Sequence, residues 1–338
     1  MSETANAPTT TRNLRVGLIG LGSMGRHHAR VIRATPGMEL VAVADPGGDR
    51  FGVAGELELL PDVAALIDVG LDAAMVAVPT VYHEEVALAL AEAGVPTMVE
   101  KPIAHSVQAG RRVADAFASR DLVGAVGYVE RCNPALRALR ERLDAGELGQ
   151  VYQVLTRRQG PFPARISDVG VVKDLATHDV DLTAWVAGSP YCSISAQVTH
   201  RSGRANEDMV VANGLLANGV IVSHTVNWLT PFKERVTIVT GEKGAFVADT
   251  LTGDLTFHAN GTVASTWDQV AAFRGVSEGD VIRYAIPKRE PLALEAEHFR
   301  DAVLGTGGEA VTMADGVATL IVVEAILASA SENRVVEI

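Results

Sequence analysis

From Leu14 onward, short apolar runs alternate with stretches whose apolar residues recur at helical spacing. Leu14–Gly20 (LRVGLIG), Leu40–Asp45 (LVAVAD), Ala73–Val78 (AAMVAV), Val95–Glu100 (VPTMVE) and Leu122–Val126 read as buried strands. Ser23–Ala34, Val81–Ala93 and Ser106–Ser119 read as helices between them. Strands separated by helix-length segments imply βαβ units, hence a parallel sheet with helices on both faces. The stretch from Asp45 to Ala73, rich in Gly and Leu, shows no clear period. After about Gly127 the pattern changes. Pro134–Ala145 is predicted as a helix capped by Asn133, with Pro134 suited to the first turn. Strand-like runs follow at Val151–Arg158, Ser193–His200, Met209–Leu216, Val220–Val226, Val236–Thr240 and Leu255–His258. Asn213-Gly214 and Asn218-Gly219 read as turns, the second closing a tight hairpin, and Gly241-Glu242-Lys243-Gly244 as a hairpin turn. Helices over about Leu292–Leu304 and Thr312–Ala330 end the chain. The expected architecture is α/β. A disordered tail over 1–13 precedes a doubly wound parallel-sheet domain over 14–127. A second α/β domain over 128–338 is built on a large open mixed, mainly antiparallel sheet.

Composition narrows this picture. Lys plus Arg total 29 against 41 Asp plus Glu, a net charge of −12, which argues against nucleic acid or an anionic membrane surface as partner. A hydrophobic fraction of 48% with 21% charged residues excludes global disorder. Aromatic residues are only 5%, and an apolar bulk of Ala, Val and Leu suits a Val-rich parallel sheet under Ala-rich helices. Two cysteines, Cys132 and Cys192, can build neither a disulfide framework nor a four-cysteine zinc site. No apolar run approaches the ~18 residues of a membrane span. Met1–Asn13 is polar and Thr-rich, without a signal-peptide core. The expectation is a soluble cytoplasmic protein.

Three motifs carry chemistry. Gly20-Leu21-Gly22-Ser23-Met24-Gly25 is a G-x-G-x-x-G between the first strand and the first helix, where glycines admit a pyrophosphate to a helix N-terminus. Asp45 ends the second strand 20 residues past Gly25, placed to accept hydrogen bonds from ribose hydroxyls and to repel a 2′-phosphate. That favours NAD over NADP, with Arg50 nearby as the opposing feature; a turn-forming Asp before Pro46 is the plainer reading. Glu100-Lys101-Pro102 falls at the carboxyl end of a parallel strand, where ligands of such sheets bind. A Lys there can hydrogen-bond a substrate hydroxyl or exchange protons with it; a solvated Glu–Lys pair beside a turn is the alternative. In Asp174-Leu175-Ala176-Thr177-His178-Asp179-Val180-Asp181, Asp174 and His178 stand four apart, so on a helix the carboxylate could orient the imidazole. Such a pair moves hydroxyl protons near neutral pH, although a solvated or capping His fits the same pattern. No H-E-x-x-H occurs and the remaining histidines are scattered, so no metal is expected; His27 and His28 are given no role.

Taken together, G-L-G-S-M-G with Asp45, E-K-P at 100–102 and D-L-A-T-H-D-V-D at 174–181 resemble the glucose–fructose oxidoreductase / inositol dehydrogenase family. Arg158–Arg165, Asp168–Val171 and Asn227–Lys233 resemble its UDP-N-acetylglucosamine 3-dehydrogenase branch. Lys173 departs from the apolar residue expected there, and the segment after Asp45 looks shortened. The resemblance implies an N-terminal Rossmann domain, a C-terminal domain with an open mixed sheet used for homodimer or homotetramer contacts, and NAD as cofactor. Gly20, Gly22, Ser23, Met24 and Gly25 would cradle the pyrophosphate and Asp45 the ribose. Pro79, Thr80 and His83 would line the cofactor path, and Glu100 and Lys101 would lie beside the nicotinamide. His178 would remove the hydroxyl proton, with Asp174 orienting it and Lys101 polarising the hydroxyl. Arg131 becomes a candidate substrate contact, Asn133 equally a cap, and Arg158, Arg165 and Lys233 candidates for gripping a diphosphate. The basic stretch from Arg157 to Lys173 holds four basic residues against one acid, Asp168.

The function expected is NAD-dependent oxidation of a ring hydroxyl, at C3 of an amino sugar such as UDP-N-acetylglucosamine. The competing readings are a dehydrogenase of a free polyol or aminoglycoside sugar, a non-catalytic NAD-binding redox sensor, and a glycosidase that retains its NAD. Lys101 together with His178 speaks against the sensor, which needs neither.

Overall fold

In the computed structural model, which describes residues 12–163, 169–261 and 279–338, the first apolar run becomes strand β1, Leu14–Ile19. Helix α1 (Gly25–Ala34) follows, then β2 (Met38–Ala44), β3 (Leu59–Leu60), α2 (Val63–Asp68) and β4 (Ala73–Val76). Next come α3 (His83–Glu92), β5 (Thr97–Glu100), α4 (Val107–Ala118) and β6 (Gly124–Gly127). The six strands lie in the order β3-β2-β1-β4-β5-β6, and every pairing is parallel. The order reverses between β1 and β4, which opens a crevice beyond the carboxyl ends of those strands. The stretch without a period holds a two-residue strand and a six-residue helix, both too short to register one. Asp62 caps that helix by accepting from the Ala65 N–H at 2.9 Å.

The chain divides into two compact units. One runs to Gly127 and takes in Leu292–Met313; the other comprises Tyr128–Pro291 and Ala314–Ile338. The single boundary expected at 127/128 is thus corrected near the C-terminus. Helix α7 (Pro291–Val303) buries Ala296 and Phe299 in one core with Leu14, Val16, Leu18, Ile32 and Met98. Val126 N–H donates to the Val311 carbonyl at 2.9 Å, and Thr312 bridges Ala125. Periodicity shows that a helix has an apolar face but not which sheet covers it. Of the expected tail, residues 1–11 lie outside the described residues, and Arg12 is tied to Asp72 by hydrogen bonds of 2.7 and 2.8 Å.

In the second unit, α5 (Pro134–Asp144) is followed by β7 (Val151–Pro161) and α6 (Thr177–Ala187). Strands β8 (Tyr191–Thr199), β9 (Met209–Leu216), β10 (Ile221–Asn227), β11 (Leu229–Gly241), β12 (Gly244–Asp249), β13 (Asp254–Ala259) and β14 (Val281–Arg283) come next. Helix α8 (Met313–Glu332) and β15 (Val336–Glu337) end the chain. The nine strands take the order β14-β13-β12-β11-β7-β10-β9-β8-β15, and β7 with β10 pairs parallel in an otherwise antiparallel sheet. Asn133 caps α5 as expected, accepting from Ala135 N–H at 3.1 Å. The Asn218-Gly219 turn forms, with Gly219 at φ +84°, and Gly241–Gly244 closes the β11–β12 hairpin. Asn213-Gly214 makes no turn; it lies inside β9. A Cβ on Gly214 would come within 2.7 Å of the Ser193 carbonyl, so this glycine permits close approach to β8 rather than reversing the chain.

Val154, Thr156, Val222, His224, Val239 and Phe246 point to the covered face of the sheet, whereas the paired Leu215 and Ile221, at alternate positions, are 42% and 55% exposed. Helix α8 modifies the reading on membrane spans. Its 20 residues, with mean hydropathy 1.7, are long and apolar enough to cross a bilayer by length and composition. The run is interrupted by Asp315 and Glu324, and Leu320, Val323 and Ile326 are buried within the fold, as in a core helix.

Phe299 is fully buried in the core of the first unit. Phe299→Ala is expected to lower unfolding free energy by about 3–5 kcal/mol in a denaturant titration; an unchanged midpoint would contradict the placement of α7.

Candidate active site

In the first unit, the glycine loop has the shape a dinucleotide needs. Gly20 is at φ +91°, and a Cβ there would come within 2.5 Å of the Ala77–Val78 backbone. A Cβ on Gly25 would collide with the Gly20 carbonyl, so loop and helix can close only without side chains at these positions. Gly22 faces open space, with nothing within 4 Å of its Cβ position. Helix α1 begins at Gly25 without a side-chain cap and without an acid in its first turn. Its N-terminal N–H groups therefore suit an anion. Ser23 and Met24 lie half-buried in the turn between. Asp45 is held against this loop: Leu21 N–H donates to one carboxylate oxygen and Gly47 N–H to the other, both at 2.7 Å. Each oxygen keeps a lone pair for a ribose hydroxyl. The residues fit a dinucleotide.

At the carboxyl end of β5, Glu100 accepts a 2.6 Å hydrogen bond from His28 Nε2 and a 3.2 Å bond from Lys101 N–H. The strand end is thus tied to α1, and His28, given no role from sequence, holds it. Burial pushes the Glu100 carboxyl up, but the hydrogen bond and charge of His28, with Lys101 and His83, bring it below its ordinary value. Lys101 is half-buried, and the Lys101–Pro102 bond is cis. Pro79 is exposed and Thr80 half-buried at the start of the turn after β4.

His83 does not line an open path. It is 1% exposed, with Nδ1 2.8 Å from the Pro102 carbonyl and Nε2 2.9 Å from the Val78 carbonyl. Both ring nitrogens face backbone carbonyls, and in its neutral form His83 donates to one of the two, so the ring is packed between two strand-end loops. Burial, opposed by those carbonyls, leaves its pKa below the usual histidine value.

In the second unit, Asp174 and His178 fall in one continuous helical segment, but a widened turn of π type over Val172–Ala176 precedes α6. Their four-residue spacing therefore spans a transition from five-residue to four-residue hydrogen bonding instead of a regular helix. Asp174 is buried and His178 half-buried. Tyr128 meets the His178 ring edge-on, with centroids 6.1 Å apart at 87°. The buried Tyr128 hydroxyl lies 2.9 Å from Thr177 Oγ1, and desolvation pushes its pKa far up, so it stays protonated. No motif marked Tyr128; only its position after the last strand of the first unit could have.

Arg131 and Arg158, expected to meet substrate, are spent inside the fold. Arg131 grips Asp181 in a bidentate pair, Nε–Oδ2 2.9 Å and Nη2–Oδ1 2.7 Å, with Asp315 at 3.4 Å. Arg158 is 5% exposed and donates from Nε to Asp179 at 3.0 and 3.1 Å and from Nη1 to Glu130 at 2.8 Å. Burial pushes Asp179 up to about 6 against the pull of Arg158, and burial raises Asp181 likewise. A buried guanidinium must find carboxylates, and the closely spaced acids of D-V-D offered them. Arg165 lies outside the described residues. Lys233 stands exposed on β11, while Arg157 pairs with Glu234 at 3.0 Å. Among the described residues no group of three or more His, Cys, Asp or Glu is arranged for a metal ion. Arg131→Ala strands Asp181 without its counter-ion and is expected to cost about 3–5 kcal/mol of stability, read as a lower denaturation midpoint; Arg131→Met with Asp181→Leu together should recover most of it.

Comparison with known proteins agrees with the geometry. Residues 14–128 match the model of an oxidoreductase family with an NAD-binding Rossmann fold, and residues 136–247 match the GFO/IDH/MocA C-terminal domain. The chain is 32% identical to a UDP-N-acetylglucosamine 3-dehydrogenase of Acidithiobacillus ferrooxidans, across 96% of this chain and 97% of that one. A solved structure of such an enzyme from that organism superposes with TM-score 0.83 at 26% identity, covering 95% and 99% of the two chains. A scyllo-inositol 2-dehydrogenase (NAD(+)) of Bacillus subtilis is 32% identical over 54% of this chain and 56% of its own. GenD2 from gentamicin A biosynthesis, solved in complex with NAD, superposes with TM-score 0.80 at 26% identity, covering 97% of both chains. The chain belongs to the GFO/IDH/MocA family of NAD-dependent oxidoreductases that act on sugar or polyol hydroxyls.

Proposed function

We propose that the protein oxidises the C3 hydroxyl of an amino sugar carried on UDP, with UDP-N-acetylglucosamine as the substrate of first choice. The observation that carries this choice is coverage: similarity to the UDP-N-acetylglucosamine 3-dehydrogenase runs through 96% of the chain, whereas the inositol 2-dehydrogenase of Bacillus subtilis matches over 54%. NAD, when bound, supplies the hydride acceptor, and the protein contributes alignment and proton handling. Gly20, Gly22, Ser23, Met24 and Gly25 bind the pyrophosphate, Asp45 the ribose, and Pro79 and Thr80 border the cofactor path. His178 takes the proton from the substrate hydroxyl. Tyr128 fixes the tilt of its ring, Asp174 steadies it, and Lys101 hydrogen-bonds the hydroxyl as its O–H bond weakens. Glu100 anchors Lys101 through the backbone.

A second reading has a specific observation in its favour. Arg131 and Arg158 are consumed by internal carboxylates, so Lys233 and Arg165 are left as the candidates for a diphosphate, and a free amino sugar or aminoglycoside needs neither. The test incubates protein and NAD with UDP-sugars, free amino sugars, polyols and aminoglycosides and follows NADH. Formation with UDP-N-acetylglucosamine but not with the free sugar supports the first reading; the reverse favours the second, and silence throughout overturns both. Lys101→Ala and His178→Ala are each expected to lower kcat by about 10²–10⁴-fold, and full activity in either rejects its role.

The exposed Leu215 and Ile221, paired on the uncovered sheet face, support self-association there, as a homodimer or homotetramer. Ile221→Lys is expected to shift the mass measured by light scattering toward the monomer; an unchanged mass removes this face from the interface.

A further inference from the structure

The first unit holds a second buried carboxyl that the mechanism above does not use. Glu295 of α7 is 7% exposed, and neither of its oxygens has a hydrogen-bond partner. An apolar side chain would fill this place without leaving buried polar atoms unsatisfied. The charged neighbour acting on it is Glu100. Glu100 in turn faces His28 of α1, Lys101 at its own strand end and His83 of α3. Two carboxyls that sense each other in a dry interior cannot both ionise readily. The negative charge belongs on Glu100, which has the His28 ring at 2.6 Å and the Lys101 N–H. The proton belongs on Glu295, whose pKa is driven well up by burial and then by the Glu100 charge.

We propose that Glu295, beside an ionised Glu100, carries one proton whose occupancy follows the charge of the nicotinamide ring, which makes Glu295 a charge-compensating positioning residue for the β5 strand end. This rests on the reading that the nicotinamide end of NAD lies at the β5 strand end. A cationic ring favours the ionised acid and a neutral ring the protonated one. Oxidised cofactor therefore draws the proton from Glu295 to solvent, and reduced cofactor lets Glu295 keep it. Glu100 stays ionised on His28 throughout, and the backbone of Lys101 stays in place.

Calorimetric titration of the full-length protein with NAD+ and with NADH, in buffers of different ionisation enthalpy, counts the protons exchanged on binding. The expected result is that NAD+ releases more protons than NADH at some pH between about 6 and 9, and that Glu295→Gln and Glu295→Leu abolish the difference while both cofactor forms still bind. A wild-type protein with no difference in that range overturns the proposal, as does a variant that keeps it. Failure of the wild-type protein to bind either form would instead sink the underlying reading of the site. A second measurement separates the proton from mere packing. A carboxyl whose folded pKa is raised weakens the fold as pH rises above the ordinary carboxylate range. Glu295→Gln is therefore expected to raise Tm at about pH 8 and to leave it little changed at about pH 4; equal shifts at both would assign Glu295 to packing alone.

Discussion

Charges withdrawn from water have to be matched inside the protein, and the second unit is arranged around that requirement. The turn of residues 129–132 supplies Glu130 and Arg131, β7 supplies Arg158, and α6 supplies Asp179 and Asp181. Two guanidinium groups thereby join three elements through bonds of 2.7 to 3.1 Å. His178 precedes Asp179 in sequence, so the clamp that satisfies the arginines also fixes the helix turn that carries the imidazole. Removing one partner would leave a buried charge unmatched, a larger penalty than losing a surface ion pair. That difference ties α6, which carries His178, firmly to β7 and to the turn of residues 129–132.

The first unit solves a different problem, close approach. Gly20 and Gly25 let loop, strand and helix backbones come nearer than any Cβ permits. The start of α1 at this loop has no side-chain cap, which leaves its backbone N–H groups for an anion. An acidic chain can therefore bind an anionic cofactor, because the attraction comes from local dipoles and not from net charge. The His28–Glu100 bond then links the helix that begins at this loop to the strand that presents Lys101.

Elements with a strong period, such as β1, α1 and α5, were legible in the sequence, as were the glycine loop, Asp45 and the strand-end Glu-Lys-Pro. What escaped did so for identifiable reasons. Arg158 and Arg131 look like ligand-binding residues because charge type is visible in sequence while burial is not. His83 sits at a helix start near the cofactor motifs, yet its ring is buried between two backbone carbonyls. Asn213-Gly214 has turn chemistry but meets a neighbouring strand that only glycine can accommodate. The π turn before His178 leaves no residue signature, and neither Tyr128 nor Glu295 belongs to a motif. Each of these depends on which segments meet, information that single-sequence periodicity does not hold.

The return of Leu292–Met313 to the first unit also bears on how the chain is made. Phe299 and Ala296 are core residues of a body whose other members lie before Gly127. During synthesis the cofactor-binding half leaves the ribosome first, but its hydrophobic core stays incomplete until α7 emerges, after every strand of the large sheet except β15 has already been translated. The early half must wait in a partly open state, exposed to chaperones and proteases, while the later half is still being made. A chain cut at Gly127 would keep the glycine loop and Lys101 and still lack the helix that closes their core.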